Sequence, residues 1–257
     1  MSVYSFARKT LLCSTAALTL GLVSTGLYAK NTIGVGVGFI PKYEGAEDYR
    51  ALPSPIIDYK NGNFFISPRA GLPSAGWQTA ITNDWTAGVF LGMGLGRRAS
   101  MSSHLTGTDR IKFHGNAGVF TEWRPGDWAL GAAYYQALHN GYGGVAEFRG
   151  SYQVWSAAGT TFRVGANTEW ASGDSMKTFF GVKQHEANAS GGRLTRYNPS
   201  SGFKSASIFG TWNQELSQNW NLVGVLGFKR LLGDAADSPI VEDKSSVFGS
   251  VGVTYSF

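Results

Sequence analysis

Charge is what this sequence most lacks. Of 257 residues only 15% are Asp, Glu, Lys or Arg, against about a quarter in soluble domains. A chain so poor in ionised side chains lacks the usual means of solvating a globular surface. Basic residues outnumber acidic ones by 22 to 17 but form no cluster, which argues against a nucleic-acid partner. Cysteine is absent apart from Cys13, so no intramolecular disulfide framework is available. The hydrophobic fraction is an ordinary 43%, too low for a bundle of transmembrane helices, and helical periodicity is nearly missing. No nucleophile elbow, zinc-ligand spacing or phosphate loop occurs, so no cofactor and no metal is expected.

What is present begins with a leader. Arg8 and Lys9 precede an apolar stretch from Leu11 to Val23, followed by Leu27-Tyr28-Ala29, an imperfect A-x-A-like cleavage site. Ser14, Thr15, Thr19, Ser24 and Thr25 dilute the stretch and no stop-transfer charges follow. Residues 1–29 are therefore expected to be a cleaved signal peptide and 30–257 the mature domain. Cleavage would remove Cys13, Arg8 and Lys9, leaving a cysteine-free chain suited to an oxidising compartment.

The rest alternates. In 160–170, Phe162, Val164, Ala166 and Trp170 share one face of an extended chain, against Thr161, Arg163, Asn167 and Glu169. In 111–124, Ile111, Phe113, Ala117, Val119 and Trp123 oppose Lys112, His114, Asn116, Glu122 and Arg124. The same pattern holds in 145–156, 203–216 and 220–230. Aromatic residues gather at segment ends: Trp77, Trp85, Trp123, Trp128, Trp170, Trp220, Tyr255 and Phe257. Apolar-out, polar-in strands with aromatic girdles describe a transmembrane, antiparallel, up-and-down β-barrel in contact with outer-membrane lipids. A soluble β-sandwich also alternates, but with more exposed charge and fewer terminal aromatics.

Candidate strands are 32–40, 51–59, 63–70, 76–82, 85–97, 111–124, 127–139, 144–156, 160–172, 174–182, 203–217, 219–231 and 246–257. With both termini on the periplasmic side the count must be even. The two weakest, 76–82 and 174–182, are short, and about twelve strands are expected, with ten or fourteen open. Short turns at 60–63, 82–84, 124–127, 157–160 and 217–219 contrast with long connections at 41–50, 97–110, 183–202 and 231–245. Barrels place such turns on the periplasmic side and such loops outside. Pro53 and Pro55 cannot donate to a ladder, so 51–55 is loop, edge or bulge. The chain ends on Tyr255-Ser256-Phe257, an aromatic close of the kind the barrel-assembly machinery reads.

Candidate chemistry is thin. His104 and His185 fall in expected loops, His114 on a lumen face and His139 at a strand end. Ser102 and Ser103 beside His104 are sequence neighbours only, and no catalytic residue is assigned. Lumen charges Lys112, Glu122, Arg124, Glu147, Arg149, Arg163, Glu169 and Glu215 carry both signs. They read as cross-strand pairs filling a narrow interior, or as the ring of a selective channel. Asp234 and Asp237 lack the ligand count of a calcium loop and suit a turn.

Two stretches carry more. "YEGAEDYRALPSPIIDYKNGNFF", Tyr43 to Phe65, follows the first strand, and "RLLGDAADSPIV", Arg230 to Val241, precedes the last. With Gly94-x-Gly96-Arg97, Phe180-Gly181-Val182 and Tyr255-Ser256-Phe257, they make the mature chain resemble the MipA/OmpV family of outer-membrane proteins. Departures are Ala46, where Ser is commoner, and "HLTGTDR" at 104–110, where a Gly-rich turn is usual. The resemblance implies a non-enzymatic, monomeric barrel in the outer membrane of a Gram-negative bacterium. It implies a scaffold linking a lytic transglycosylase to a peptidoglycan synthase, with adhesion or envelope-stress roles in other members. The alternatives are a narrow channel and, third, a lipid-modifying enzyme. The motif residues Tyr43, Glu44, Gly45, Asp48, Tyr49, Arg50, Gly233, Asp234 and Asp237 are the candidate interaction set.

Overall fold

The computed structural model describes residues 30–69 and 72–257; the expected leader lies outside the described residues. Twelve strands alternate in direction: β1 Thr32–Pro41, β2 Tyr49–Asn61, β3 Phe64–Arg69, β4 Leu72–Ala80, β5 Trp85–Gly94 and β6 His114–Trp123. The second half holds β7 Trp128–Ala137, β8 Gly144–Ala157, β9 Thr160–Ala171, β10 Gly202–Glu215, β11 Trp220–Leu231 and β12 Ser245–Ser256. Each pairs with its sequence neighbours, and β1 pairs with β12 from Thr32↔Ser256 to Phe39↔Gly249, closing the barrel. Closure gives every strand a hydrogen-bonded neighbour on each side, as strands that cross lipid require. The backbone N–H of Phe257 donates to the Asn31 carbonyl at 2.9 Å, tying the last residue to the first strand.

Alternation sets the two faces as the sequence implies. Val35 (74% exposed), Val164 (49%) and Leu226 (66%) point outward, where lipid would cover them, while Arg163, Glu169 and Ser207 are buried inside. At the short-turn end, Trp77, Trp85, Trp123, Trp128, Trp155, Trp220 and Tyr255 stand exposed. Trp85 is paired with Trp123 and Trp220 with Tyr255 across strands. The Trp85 indole donates to Thr121 Oγ1. Amphipathic rings with one polar edge suit an interface between lipid and water.

Three expectations need correction. The candidate strand 174–182 is helical: α1 spans Gly173–Phe180, capped by Ser172 Oγ, which accepts from Ser175 N at 3.4 Å. Asp174 in its first turn complements the helix dipole, and Met176 and Phe180, four residues apart, fall on one face and are buried. Removing that segment brings the thirteen candidates to twelve. Next, β6 starts at His114, so Ile111 and Lys112 precede it; Ile111 is 5% exposed rather than lipid-facing, and Lys112 is exposed rather than lumenal. Finally, Tyr49 and Arg50 open β2 instead of ending a loop.

The prolines explain themselves. Pro53 and Pro55 pair with Val37 and Val35 of β1, while β2 pairs with β3 only at Tyr59, Lys60 and Asn61. Among the described residues no ladder to β3 is formed above Tyr59, so the missing N–H groups break no pairing there. The cause is the shortness of β3 and β4, six and nine residues long against thirteen in β2.

The lumen is packed, and here it differs from a simple polar interior. Phe65, Phe90 and Phe120 are buried at 2–5% exposure and meet edge-to-face or tilted, with centroids 5.6 and 6.2 Å apart. They fit because the next strand offers glycine: a Cβ on Gly118 would lie 2.6 Å from the Phe90 ring. Each such ring contributes about 1.5–3 kcal/mol by leaving water.

The capped mouth as candidate functional site

All long connections emerge at one end of the barrel and fold over it. The 42–48 segment supplies Tyr43 and Ala46, 95–113 supplies Leu105, 181–201 supplies Val182, Ala187 and Leu194, and 232–244 supplies Ile240. These seven buried residues form one apolar core above the barrel. A second core below it joins Met176 and Phe180 of α1 to Ala235 and Ala236 of α3 (Gly233–Ala236), and to Val145, Ala171 and Leu231 at the strand ends. Leu105 and Ile240 are fully buried. Loops that bury their own side chains in this way form a lid with a fixed conformation.

The two sequence motifs meet in this lid. Gly45 takes φ +94°, and a Cβ there would lie 2.7 Å from Val241 Cγ2; only glycine combines that backbone with that contact. Its carbonyl accepts from the N–H of Glu242 at 2.7 Å and of Asp243 at 3.0 Å. The Tyr43 hydroxyl donates to Glu242 Oε2 at 2.7 Å, with the Ile240 carbonyl 3.0 Å away. Burial, then the Glu242 carboxylate, push the Tyr43 phenol above its ordinary range, so it stays a donor. Asp234 Oδ2 accepts from Ser200 N at 2.7 Å, just after Gly233 turns the chain at φ +47°. Asp48 and Asp237 instead make exposed pairs with Lys42 and Lys244. Tyr49 stacks on Phe39 at 4.7 Å, and its hydroxyl accepts from Val247 N at 3.0 Å.

Glu44 hangs from the lid into the lumen. Its carboxylate lies 2.7 Å from Lys229 Nζ and 3.3 Å from Lys204 Nζ, and both lysines also lie 3.1 Å from Glu169 Oε2. Ser205 donates to Glu169 Oε2 at 2.9 Å. Two carboxylates and two ammoniums thus join lid, β9, β10 and β11. Burial alone would raise the Glu44 carboxyl, but the two lysines outweigh it and hold it below its ordinary range. Lys204 escapes a sequence reading because the register shifts between Phe203 and Ser205, so alternation breaks where it stands. Of the other lumen charges, Glu147 pairs with Arg149 at 2.8 Å and Glu122 with Arg124 at 2.7 Å, each along its own strand or turn, while Arg163 donates to Gln153 Oε1 and the Asp127 carbonyl and Glu215 is exposed at a turn.

Arg97 is a residue that alternation does not mark. It lies past the end of β5, bridges to Ile111 and is only 5% exposed. Its Nη1 donates to the Phe179 carbonyl at 2.6 Å, while Nε has no acceptor. Burial lowers the guanidinium pKa to about 10, against the opposing pull of Glu186 and Tyr43, so it stays charged at neutral pH. Both oxygens of Glu186 are occupied, by Asp109 N and Lys183 N, each at 2.7 Å.

Ser102 and His104, neighbours in sequence, have separate partners. Ser102 Oγ caps a short turn by accepting from His104 N at 3.1 Å, and the His104 ring contacts the Pro239 carbonyl at 2.8 Å. His185 contacts Asp109 at 3.0 Å on the surface.

A barrel of this size with these motifs meets a family model, MltA-interacting protein MipA, over residues 33–257. The chain belongs to the MltA-interacting protein family. The MltA-interacting proteins of Escherichia coli (strain K12) and Shigella flexneri are each 24% identical over 242 residues, spanning 89% of this chain and 90% of the relative. Among solved structures the NanC porin is similar in fold, with a TM-score of 0.51 at 11% identity, over 88% of this chain and 100% of that one. Membership of the MipA family and a closed barrel like those of outer-membrane porins are thus two separate findings that agree.

Proposed function

We propose that this chain is a monomeric barrel of the outer membrane that serves as a scaffold for peptidoglycan-remodelling enzymes. Its lid faces outward and its short turns face the periplasm. The observation that carries the reading is the filled interior. Two apolar cores close one end, and Phe65, Phe90 and Phe120 fill the barrel below. A protein built this way offers partners its rims and outer face instead of a passage. The relatives' name points to a lytic transglycosylase as one partner, and a peptidoglycan synthase is the second expected from the resemblance. The aromatic close at Tyr255 and Phe257 supports delivery by the barrel-assembly machinery. No chemistry is assigned to the protein, because the Ser102 hydroxyl and the His104 ring are engaged with different groups.

The test is crosslinking in whole envelopes, affinity purification and mass spectrometry, beside a porin control. Recovery of a lytic transglycosylase above the control is the expected result. Steady conductance in planar bilayers, with no peptidoglycan enzyme recovered, would overturn the scaffold and favour a channel.

A further inference from the structure

Beneath the lid lies a cavity of about 140 Å³, roughly ten times the ~10–15 Å³ that one water needs. Five cationic side chains line it, Lys42, Arg50, Arg97, Lys204 and Lys229, against two carboxylates, Glu44 and Glu169. Lys204 and Lys229 are matched by those carboxylates, and Lys42 by Asp48 outside the cavity. Arg97 has no such match. Among the described residues no carboxylate lies within ion-pair distance of it, and the carboxylate nearest in electrostatic effect, Glu186, is committed to backbone N–H groups. Its Nε is buried without an acceptor. A buried charge without its partner costs several kcal/mol, so a guanidinium kept charged beside an open cavity marks a place for an anion.

The surroundings suit one. His114 and Asn116, 8% and 5% exposed, line the same space with Tyr142. The His114 Nδ1 hydrogen bonds to the Lys112 carbonyl at 3.0 Å, and a carbonyl can only accept, so Nδ1 carries the proton. The neutral ring then offers the cavity no second N–H, which leaves the Arg97 guanidinium as the donor. A planar guanidinium binds carboxylate or phosphate oxygens in pairs. The cavity also reaches the barrel wall where, among the described residues, β2 forms no ladder to β3 above Tyr59. Arg50 of β2, Leu72 of β4 and Met93 of β5 line it there, and Met93 is 38% exposed on the outer face.

We infer that this lumenal cavity is a binding site for a small oxoanion, a phosphate or carboxylate, held by the Arg97 guanidinium. The same chemistry is offered by a free anion in water and by the headgroup of an anionic lipid in the adjoining leaflet. The site is independent of the scaffold reading.

Isothermal titration of the refolded protein in octyl glucoside, a detergent without phosphate, tests it with three probes: inorganic phosphate, acetate and dihexanoyl phosphatidic acid. At least one should bind with a stoichiometry of one. Binding of phosphatidic acid alone assigns the source to the membrane; binding of the free ions as well assigns it to the aqueous phase; both support the site. Arg97→Gln should weaken binding at least tenfold. Ala137→Phe, which fills the cavity from β7, should abolish it, and Arg110→Gln, an exposed arginine, should leave it unchanged. If Arg97→Gln does not refold, Ala137→Phe decides alone. Absence of binding by all three probes, binding that survives Ala137→Phe, or equal effects of Arg97→Gln and Arg110→Gln would overturn the inference.

Discussion

Leu105→Ala should open the lid and leave the barrel standing. Leu105 is fully buried in a core whose other members come from the three other long connections. The substitution removes three carbons from a site walled by Tyr43, Val182 and Ile240, and such truncations cost about 2–5 kcal/mol. That loss falls on contacts among loops, while each barrel strand keeps hydrogen-bonded neighbours on both sides. Local units open with their own free energies. At about 1.4 kcal/mol per factor of ten, amide exchange in 42–48, 95–113, 181–201 and 232–244 should speed up roughly 30-fold to about 4,000-fold. Exchange in β8 to β11 should stay within a few-fold of the parent. Leu105→Met, which conserves volume, should cost less than about 1.5 kcal/mol and move exchange far less. Mass-spectrometric hydrogen exchange of protein in bilayer nanodiscs reads both regions at once. If lid and strands accelerate together, the lid is not a separate unit; if neither changes, Leu105 is not part of its core.

Spin labels at single introduced cysteines check the faces. A label at 164 should be accessible to oxygen dissolved in lipid and a label at 167 should not, while Val164→Arg should weaken folding into bilayers by about 2–4 kcal/mol. A shielded 164 would put the strand in the wrong register. Deleting Phe257 should reduce the folded amount in cells yet leave refolding in detergent nearly intact, since the residue is 59% exposed and sits past the last ladder; equal losses in both settings would refute a role in assembly. Glu44, held below its ordinary 4.5 by Lys204 and Lys229, contributes stability that is present above that value and declines as pH falls beneath it. Exchange in 42–48 should therefore quicken between pH 5 and acid extremes, and Glu44→Gln should flatten that dependence; an unchanged profile in the variant would assign it to other groups.

How far each feature could be read follows from how local its cause is. Strand positions, the lipid face of Val164 and Leu226, the aromatic rim and the short turns were legible because pleating turns neighbouring residues to opposite faces, a rule that acts within a few residues. The helix at 173–180 resembles a strand in sequence because a stretch of eight or nine residues is too short for its period to decide between the two. Ser172 was the available signal: a capping hydroxyl ahead of Met176 and Phe180 at helical spacing. The motif stretches 43–50 and 230–241 stood out in the sequence, but their meeting through Gly45, Tyr43 and Glu242 did not.

By itself, then, the sequence determined a membrane-type barrel of about twelve strands, because hydrophobic alternation and closure follow from the backbone and from the absence of water in lipid. Only the tertiary structure decided that the barrel is filled and capped. Phe65, Phe90 and Phe120 come from three strands, each placed against a glycine of the strand beside it. Leu105 meets Ile240 across 135 positions of chain, and Glu44 meets Lys229 across 185. Loops carry no period that predicts such partners. Their geometry is set by which strand ends the closed barrel brings side by side, and the buried charge of Arg97 follows from that closure alone.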